Sequence, residues 1–342
     1  MKKNWVVTLM MGLVVLMLVA CGDNGNANDG VANDPSNNDE SNNNSENNDD
    51  ENNDAAVEGD GEFTVALAMN TLANPFFVDL NDGALETAEA EGINVISSDS
   101  QGNTGQQSSD VENLLIQNPD LLILNPVDSD AAAQIVMMAN EQGVPVITVD
   151  RQATGGEVLA HIGFDALRSG NIAGNYVTDA LGGEGKVVEI QGILGTNVGR
   201  DRSQGFNDHV SEFDGIEIIA AQSANFDRGE ALNVMEDILQ ANPDIDAVYA
   251  ANDEMVMGVL SAVESAGRLD EMVLIGTDAI DPVMEAIGEG RIEATIAEPP
   301  YFLGRDAMLT ALEILNGEEV DEMITLENQL VTEENVDEIE TR

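Results

Sequence analysis

From Thr64 onward the chain repeats one pattern, a short β-branched or aliphatic run followed by a longer amphipathic stretch. That alternation of strand and helix commits it to parallel α/β sheets. In the first half the spacing predicts strands over 64–69, 93–97, 121–124 and 144–149, with helices over 76–91, 106–117 and 130–142. A second, similar set follows, with strands over 186–190, 216–221, 247–250 and 272–275 and helices over 167–181, 202–213, 228–240 and 254–266. Short strands near 294–297 and 323–330 flank a helix over 303–316 and are expected to carry the chain between the halves. Asn-Pro and Gly punctuation separates the elements. This part, about 280 residues, suits two medium cores better than one large one, so two lobes are expected.

The N-terminus carries different information. Lys2 and Lys3 precede an apolar run from Trp5 to Ala20 that ends in Leu18-Val19-Ala20-Cys21. A run this short with basic residues in front reads as a secretory signal over residues 1–20, not as a spanning helix. Cys21 is the only cysteine of the chain, which excludes an intramolecular disulfide, and its place at a small-residue cleavage site predicts lipidation. Two acyl chains would hold the mature protein stably at the cell membrane, facing outward. Residues 21–60 are almost wholly Asn, Asp, Glu, Ser and Gly and cannot bury a core, so a disordered acidic tether is expected, with a reach of roughly 35 Å. Its Asp/Asn clusters lack the spacing of a calcium loop, and nothing in the sequence calls for a metal or a cofactor.

The formal charge is −53, from 65 acidic and 12 basic residues, and the tether supplies only about a dozen of the acids. A folded part this acidic excludes nucleic acid and anionic lipid as partners and points to a halophilic surface in a saline or alkaline habitat.

Ligands of open α/β sheets bind at the carboxyl ends of the strands. The residues that follow the predicted strands are residues 70–77, Asn125, Asp150-Arg151, the stretch 191–202 with Ile193 and Arg202, then Asn252-Asp253, Asp278 and Glu298. Amides, carboxylates and guanidinium groups beside an aromatic pair suit a ligand rich in hydroxyls, because each hydroxyl both donates and accepts. Blander readings stand beside these. Asp150 could cap a helix next to a surface arginine, Phe76 and Phe77 could both be core, and Asn125 and Asn252 could be turn formers.

The stretch Thr71-Leu72-Ala73-Asn74-Pro75-Phe76-Phe77 resembles the ligand loop of the bacterial ribose-binding proteins, members of the periplasmic sugar-binding family of ABC importers of ribose and galactose type. Asn125-Pro126-Val127-Asp128-Ser129-Asp130, the run from Pro145 to Thr154, Phe226-Asp227-Arg228, Leu232-Asn233-Val234-Met235 and Asn252-Asp253-Glu254-Met255 match the same family in the same order. The resemblance implies two doubly wound parallel-sheet lobes joined by a three-segment hinge, with residues 62–164 plus 299–326 in one and 165–298 plus 327–342 in the other. It implies ligand contacts from Asn74, Phe76, Phe77, Asn125, Asp150 and Arg151 in the first lobe and from Arg202, Asn252 and Asp278 in the second, with Phe76 and Phe226 stacking on the sugar ring. Ile193 belongs to the same implied set. Three positions depart from the family pattern: Thr277 stands where an aromatic residue is usual, Phe164 where Ser is usual, and Glu298 where Gln is usual. Glu298 is expected either to meet a ligand hydroxyl or to pair with Arg202, and the three together leave another pentose, a hexose or a modified sugar open.

The implied function is capture of a monosaccharide, ribose or similar, for the membrane subunits of an ABC importer, by a monomer whose lobes close on the ligand about segments near 164–165, 298–299 and 325–328. Service to a chemoreceptor is not separable from this. Catalysis finds no support: His161 and His209 are far apart in sequence and sit in no hydrolase or zinc motif. Gly182-Gly183-Glu184-Gly185-Lys186 lacks phosphate-loop spacing and reads as a helix stop. A repressor of the same ligand-binding fold would need a DNA-binding helix pair where the signal and tether stand.

Overall fold

A computed structural model describes residues 63–342 and the backbone of one short strand before them. The predicted secretory signal, Cys21 and most of the predicted tether lie outside the described residues. In chain order the elements are β1 (Ala56–Val57), β2 (Thr64–Met69), α1 (Pro75–Glu91), β3 (Asn94–Asp99), α2 (Thr104–Ile116), β4 (Leu121–Leu124), α3 (Ser129–Glu141), β5 (Val146–Val149) and β6 (Ala160–Phe164). The chain continues with α4 (Ala166–Ala180), β7 (Glu184–Gln191), α5 (Asn197–Val210), β8 (Gly215–Ser223), α6 (Arg228–Ala241), β9 (Ala247–Ala250), α7 (Asp253–Ser265), β10 (Val273–Asp278), α8 (Asp281–Gly288) and β11 (Ala294–Ala297). It closes with α9 (Pro300–Leu315), β12 (Met323–Leu326) and β13 (Gln329–Thr332).

Two sheets result. The first has the strand order β1-β3-β2-β4-β5-β6-β12 and the second β13-β11-β10-β9-β7-β8. Pairing within each is parallel except at the edges, where β1 runs antiparallel to β3 and β13 antiparallel to β11. Strands β4, β5, β9 and β11 are buried at every residue, as expected where helices cover both faces of a parallel sheet. Alternation along β2 divides the first core. Val65, Leu67 and Met69 pack toward α1 and α9, whereas Ala66 and Ala68 pack toward α2 and α3. In each sheet the winding reverses, between β2 and β4 in the first and between β7 and β9 in the second, and a crevice opens there at the strand ends.

The chain passes between the sheets three times: from β6 into α4, from β11 into α9, which packs on α1 and β4–β6, and from β12 into β13. One predicted strand over 323–330 is in fact two, because Glu327 and Asn328 turn the chain from the first sheet to the second. Strand β6 and helix α8 were not anticipated, since Ala160–Phe164 contains two small residues and a histidine and α8 spans only 8 residues. Helix α5 starts five residues before the predicted 202, because the Thr196 hydroxyl accepts from Gly199 N–H at 3.0 Å and caps it early. Arg202 therefore sits inside a helix and not in a loop. The predicted helix stop at Gly182-Gly183 is present, with both glycines at positive φ before β7.

His161 is a buried core residue whose Nδ1 lies 2.9 Å from Thr148 Oγ1, and burial lowers its pKa to about 4, so it is neutral in the folded chain near pH 7.

Candidate sugar-binding cleft

Helix caps and strand ends bring the site together. Asn74 caps α1, its Oδ1 accepting from Phe76 N–H at 2.9 Å, and Pro75 preorganises the first turn, so Phe76 and Phe77 leave the end of β2 pointing inward. Their rings meet edge to face, 5.1 Å apart at 80°. Asn252 caps α7 in the same way, accepting from Met255 N–H at 3.0 Å. Asp150, Phe226 and Asp278, at three other strand ends, hold φ of 63°, 61° and 135°, a backbone region that non-glycine residues rarely occupy. Strain of this kind concentrates where a backbone is held for function.

Asn74, Phe76, Phe77, Asp150 and Arg151 from the first lobe and Val198, Arg202, Phe226, Asn252 and Asp278 from the second line one cavity of about 290 Å³. An outer chamber shares Asn74, Phe77, Arg151 and Phe226 with it and adds Ile193, Asn70 and the Arg228–Glu254 ion pair. The lobes are closed on each other at the rim. Gln152 N–H donates to Asn197 Oδ1 at 2.9 Å, Asn197 N–H to Ser129 Oγ at 3.1 Å and Ser129 N–H to the Gly195 carbonyl at 3.3 Å.

The two arginines are anchored differently. Arg151 Nη1 donates to the carbonyls of Pro126 and Val127 at 3.1 and 3.0 Å, and its guanidinium lies 5.2 Å from the Phe77 ring and 5.8 Å from the Phe226 ring, bridging the lobes. Arg202 Nη1 donates to the Ala251 carbonyl at 2.6 Å, while Nη2 donates to Asp278 Oδ1 at 3.3 Å and to Glu298 Oε2. The Nε of each is buried without a hydrogen-bond acceptor among the described residues. Buried donors are normally satisfied, and these two exceptions both belong to arginines that line the cavity.

Asp150 lies 3.6 Å from Arg151 Nε and accepts from Asn125 Nδ2 at 3.4 Å. Burial raises the pKa of Asp150, against the pull of Arg151 and Arg202. Burial also raises Asp278 well above the usual carboxylate range, against the pull of Arg202, with Asp253 and Glu298 adding to the rise. For Arg202 burial lowers the pKa, but the Glu298 and Asp278 carboxylates outweigh it and the net shift is upward.

Five residues of the implied contact set sit elsewhere. Asn125 is fully buried behind the cavity, where its Nδ2 donates to the Val149 carbonyl at 3.0 Å and its Oδ1 receives Asn70 N–H at 3.4 Å; it braces the strand ends. Thr277 is fully buried in β10 and does not line the cavity, because the strand alternation turns it away from its neighbour Asp278. Phe164 faces a separate crevice with Pro299, Phe302 and Leu326, where the chain crosses between sheets. Glu298 pairs with Arg202 and does not reach the cavity wall, and Ile193 lines only the outer chamber. Val198, in the first turn of α5, is a wall residue that the sequence reading did not single out. Nothing but its place in the stretch 191–202 could have flagged it.

Two parallel α/β sheets joined by three crossings, with a polar cavity at their facing strand ends, define a two-lobed binding protein. The chain belongs to the periplasmic binding protein domain family, whose pattern matches residues 65–319. It is 42% identical to the ribose import binding protein RbsB of Escherichia coli over 271 residues, 79% of this chain and 91% of that protein. The Bacillus subtilis protein of the same name is 39% identical over 272 residues, covering 80% and 88% of the two chains. Among solved structures, an ABC transporter solute-binding protein from Bacillus halodurans with bound myo-inositol superposes with a TM-score of 0.78 at 34% identity, covering 81% of this chain and 97% of that one. One from Actinobacillus succinogenes with bound D-allose gives 0.77 at 30% identity, covering 81% and 100%.

Proposed function

We propose that this protein captures a monosaccharide or cyclic polyol between its lobes and delivers it to an ABC importer, without transforming it. The observation that carries this reading is the cavity wall itself. Two arginines, two carboxylates and two amides drawn from both lobes stand around it with three phenyl rings. Rings take the apolar faces of a sugar, and the polar groups take its hydroxyls. The contacts are Asn74, Phe76, Phe77, Asp150 and Arg151 on one side and Val198, Arg202, Phe226, Asn252 and Asp278 on the other. Ligand touches both walls only when the lobes close, and that differential contact shifts the population toward the closed form offered to the importer.

The relatives divide between ribose by name and myo-inositol or allose in bound form. A thermal-shift screen in high salt with D-ribose, D-allose and myo-inositol is expected to give one clear binder, because ligand at about 100 times its Kd stabilises by about 2.7 kcal/mol. No stabilisation by any sugar or polyol would sink the reading, and recovery of an altered sugar would make the protein an enzyme. Affinity for the hit is expected to weaken on acidification. Hydroxyl donors prefer ionised Asp150 and Asp278, whose raised pKa values mean that protons compete with the ligand above the ordinary carboxylate range. Calorimetry from pH 8 to pH 5 checks the sign.

The mature protein is further proposed to be a monomer held at the outer face of the cell membrane by lipid on Cys21, on the strength of the Leu18-Val19-Ala20-Cys21 motif. Metabolic labelling with an alkyne fatty acid is expected to mark the wild type and not Cys21→Ala; equal labelling of both would refute the anchor.

A further inference from the structure

Glu298 follows β11 at the second crossing and is only 2% exposed. Its Oε2 receives Arg202 Nη2, and its backbone N–H donates to the Asp278 carbonyl at 3.0 Å, so two cavity residues are fixed from behind by one residue. Its other carboxylate oxygen, Oε1, receives the Ser169 hydroxyl and Asn328 Nδ2, the latter at 3.0 Å. Asn328 Nδ2 also donates to Ser169 Oγ at 2.7 Å. Ser169 lies one turn past the first crossing, and its backbone N–H donates to the Asp165 carbonyl at 3.0 Å. Asn328 lies in the third crossing, between β12 and β13.

All three crossings thus converge on a single buried carboxylate whose second oxygen holds a guanidinium of the cavity wall. We propose that Glu298 is a positioning residue that couples cleft to crossings. It aims Arg202 at the ligand and, through Ser169 and Asn328, fastens the crossings in the arrangement that the closed lobes require. A glutamine here would keep its carbonyl for Arg202 but present an N–H to the Ser169–Asn328 pair, so Asn328 Nδ2 would lose this acceptor and the Ser169 hydroxyl would have to turn from donor to acceptor. A carboxylate accepts at both ends without that rearrangement. The proposal rests on the sugar-binding reading for its affinity readout, but not for its structural one.

Ser169→Ala separates coupling from simple neutralisation of Arg202. Ser169 lines no part of the cavity, and its loss leaves the Arg202–Glu298 pair in place. With the full chain, three readouts are needed: the urea midpoint to certify folding, the radius of gyration of ligand-free protein by small-angle X-ray scattering, and the calorimetric Kd for whichever of D-ribose, D-allose and myo-inositol binds wild type most tightly. Ser169→Ala is expected to enlarge the ligand-free radius of gyration and to raise Kd about fivefold or more, the low end of measured couplings between sites. Glu298→Gln is expected to raise Kd about tenfold or more, and the double variant to be no weaker than Glu298→Gln alone, since both act through one network. A folded Ser169→Ala protein with wild-type radius of gyration and Kd would overturn the proposal. If none of the three probes binds wild type, the sugar assignment fails on its own, and the ligand-free scattering comparison still decides the coupling.

Discussion

Replacing Arg202 with alanine is expected to destabilise the protein by about 3–5 kcal/mol, the cost of removing one partner from a buried ion cluster. Arg202 is 2% exposed, Glu298 2% and Asp278 3%, and among the described residues no other cation bonds to either carboxylate. Without the guanidinium, one of these acids must take up a proton or drag water into the lobe. Urea unfolding at pH 7 measures the loss. Adding Glu298→Gln and Asp278→Asn to Arg202→Ala is expected to recover much of the stability and none of the sugar affinity, which separates the two roles of the cluster. An Arg202→Ala protein as stable as wild type would show that the cluster is not a unit.

Replacing Arg151 with alanine is expected to reduce sugar affinity more than a hundredfold while costing less stability. Arg151 lies against a ring from each lobe, Phe77 and Phe226, and it carries an unmet buried donor. Its removal takes away the proposed charge-assisted bond to the ligand and the bridge between Phe77 and Phe226 at once, and lost bonds to charged groups are each worth roughly 1.5–3 kcal/mol. Stability falls less because its partner Asp150 is already biased by burial toward the protonated form and can become neutral in place. Arg151→Lys is not expected to rescue binding, since a point charge cannot reach both the Pro126 and Val127 carbonyls and still stack between two rings. Calorimetry with the tightest sugar of the screen decides it; an unchanged Kd would remove Arg151 from the site.

The sequence alone determined most of the scaffold and the chemical character of the cleft. Strand and helix periods differ by nearly twofold and survive without tertiary context, so the order of elements and the two halves could be read directly. Strand-end placement pointed to the stretch 70–77, Asp150, Arg151, Asn252 and Asp278, and the family resemblance narrowed that stretch to Asn74, Phe76 and Phe77. All of these narrowed residues line one cavity, whereas Asn125, Asp253 and Glu298, named by the same rule, do not. Phe76 and Phe77 show why the alternatives at such positions are not exclusive, since both are 5% exposed and belong to the core while lining the cavity.

Only the tertiary structure decided how far each side chain reaches. Thr277 and Asp278 are neighbours in sequence, yet the pleat of β10 sends one behind the sheet and the other into the cavity. Ser169, Glu298 and Asn328 are separated by 129 and 30 residues, and no local pattern links them, because the bonds among them exist only after both sheets have formed and the chain has crossed three times. Local periodicity fixes what kind of element a segment becomes. Which buried carboxylate answers which arginine is a matter of packing between distant segments, and that information is spread over the whole folded chain.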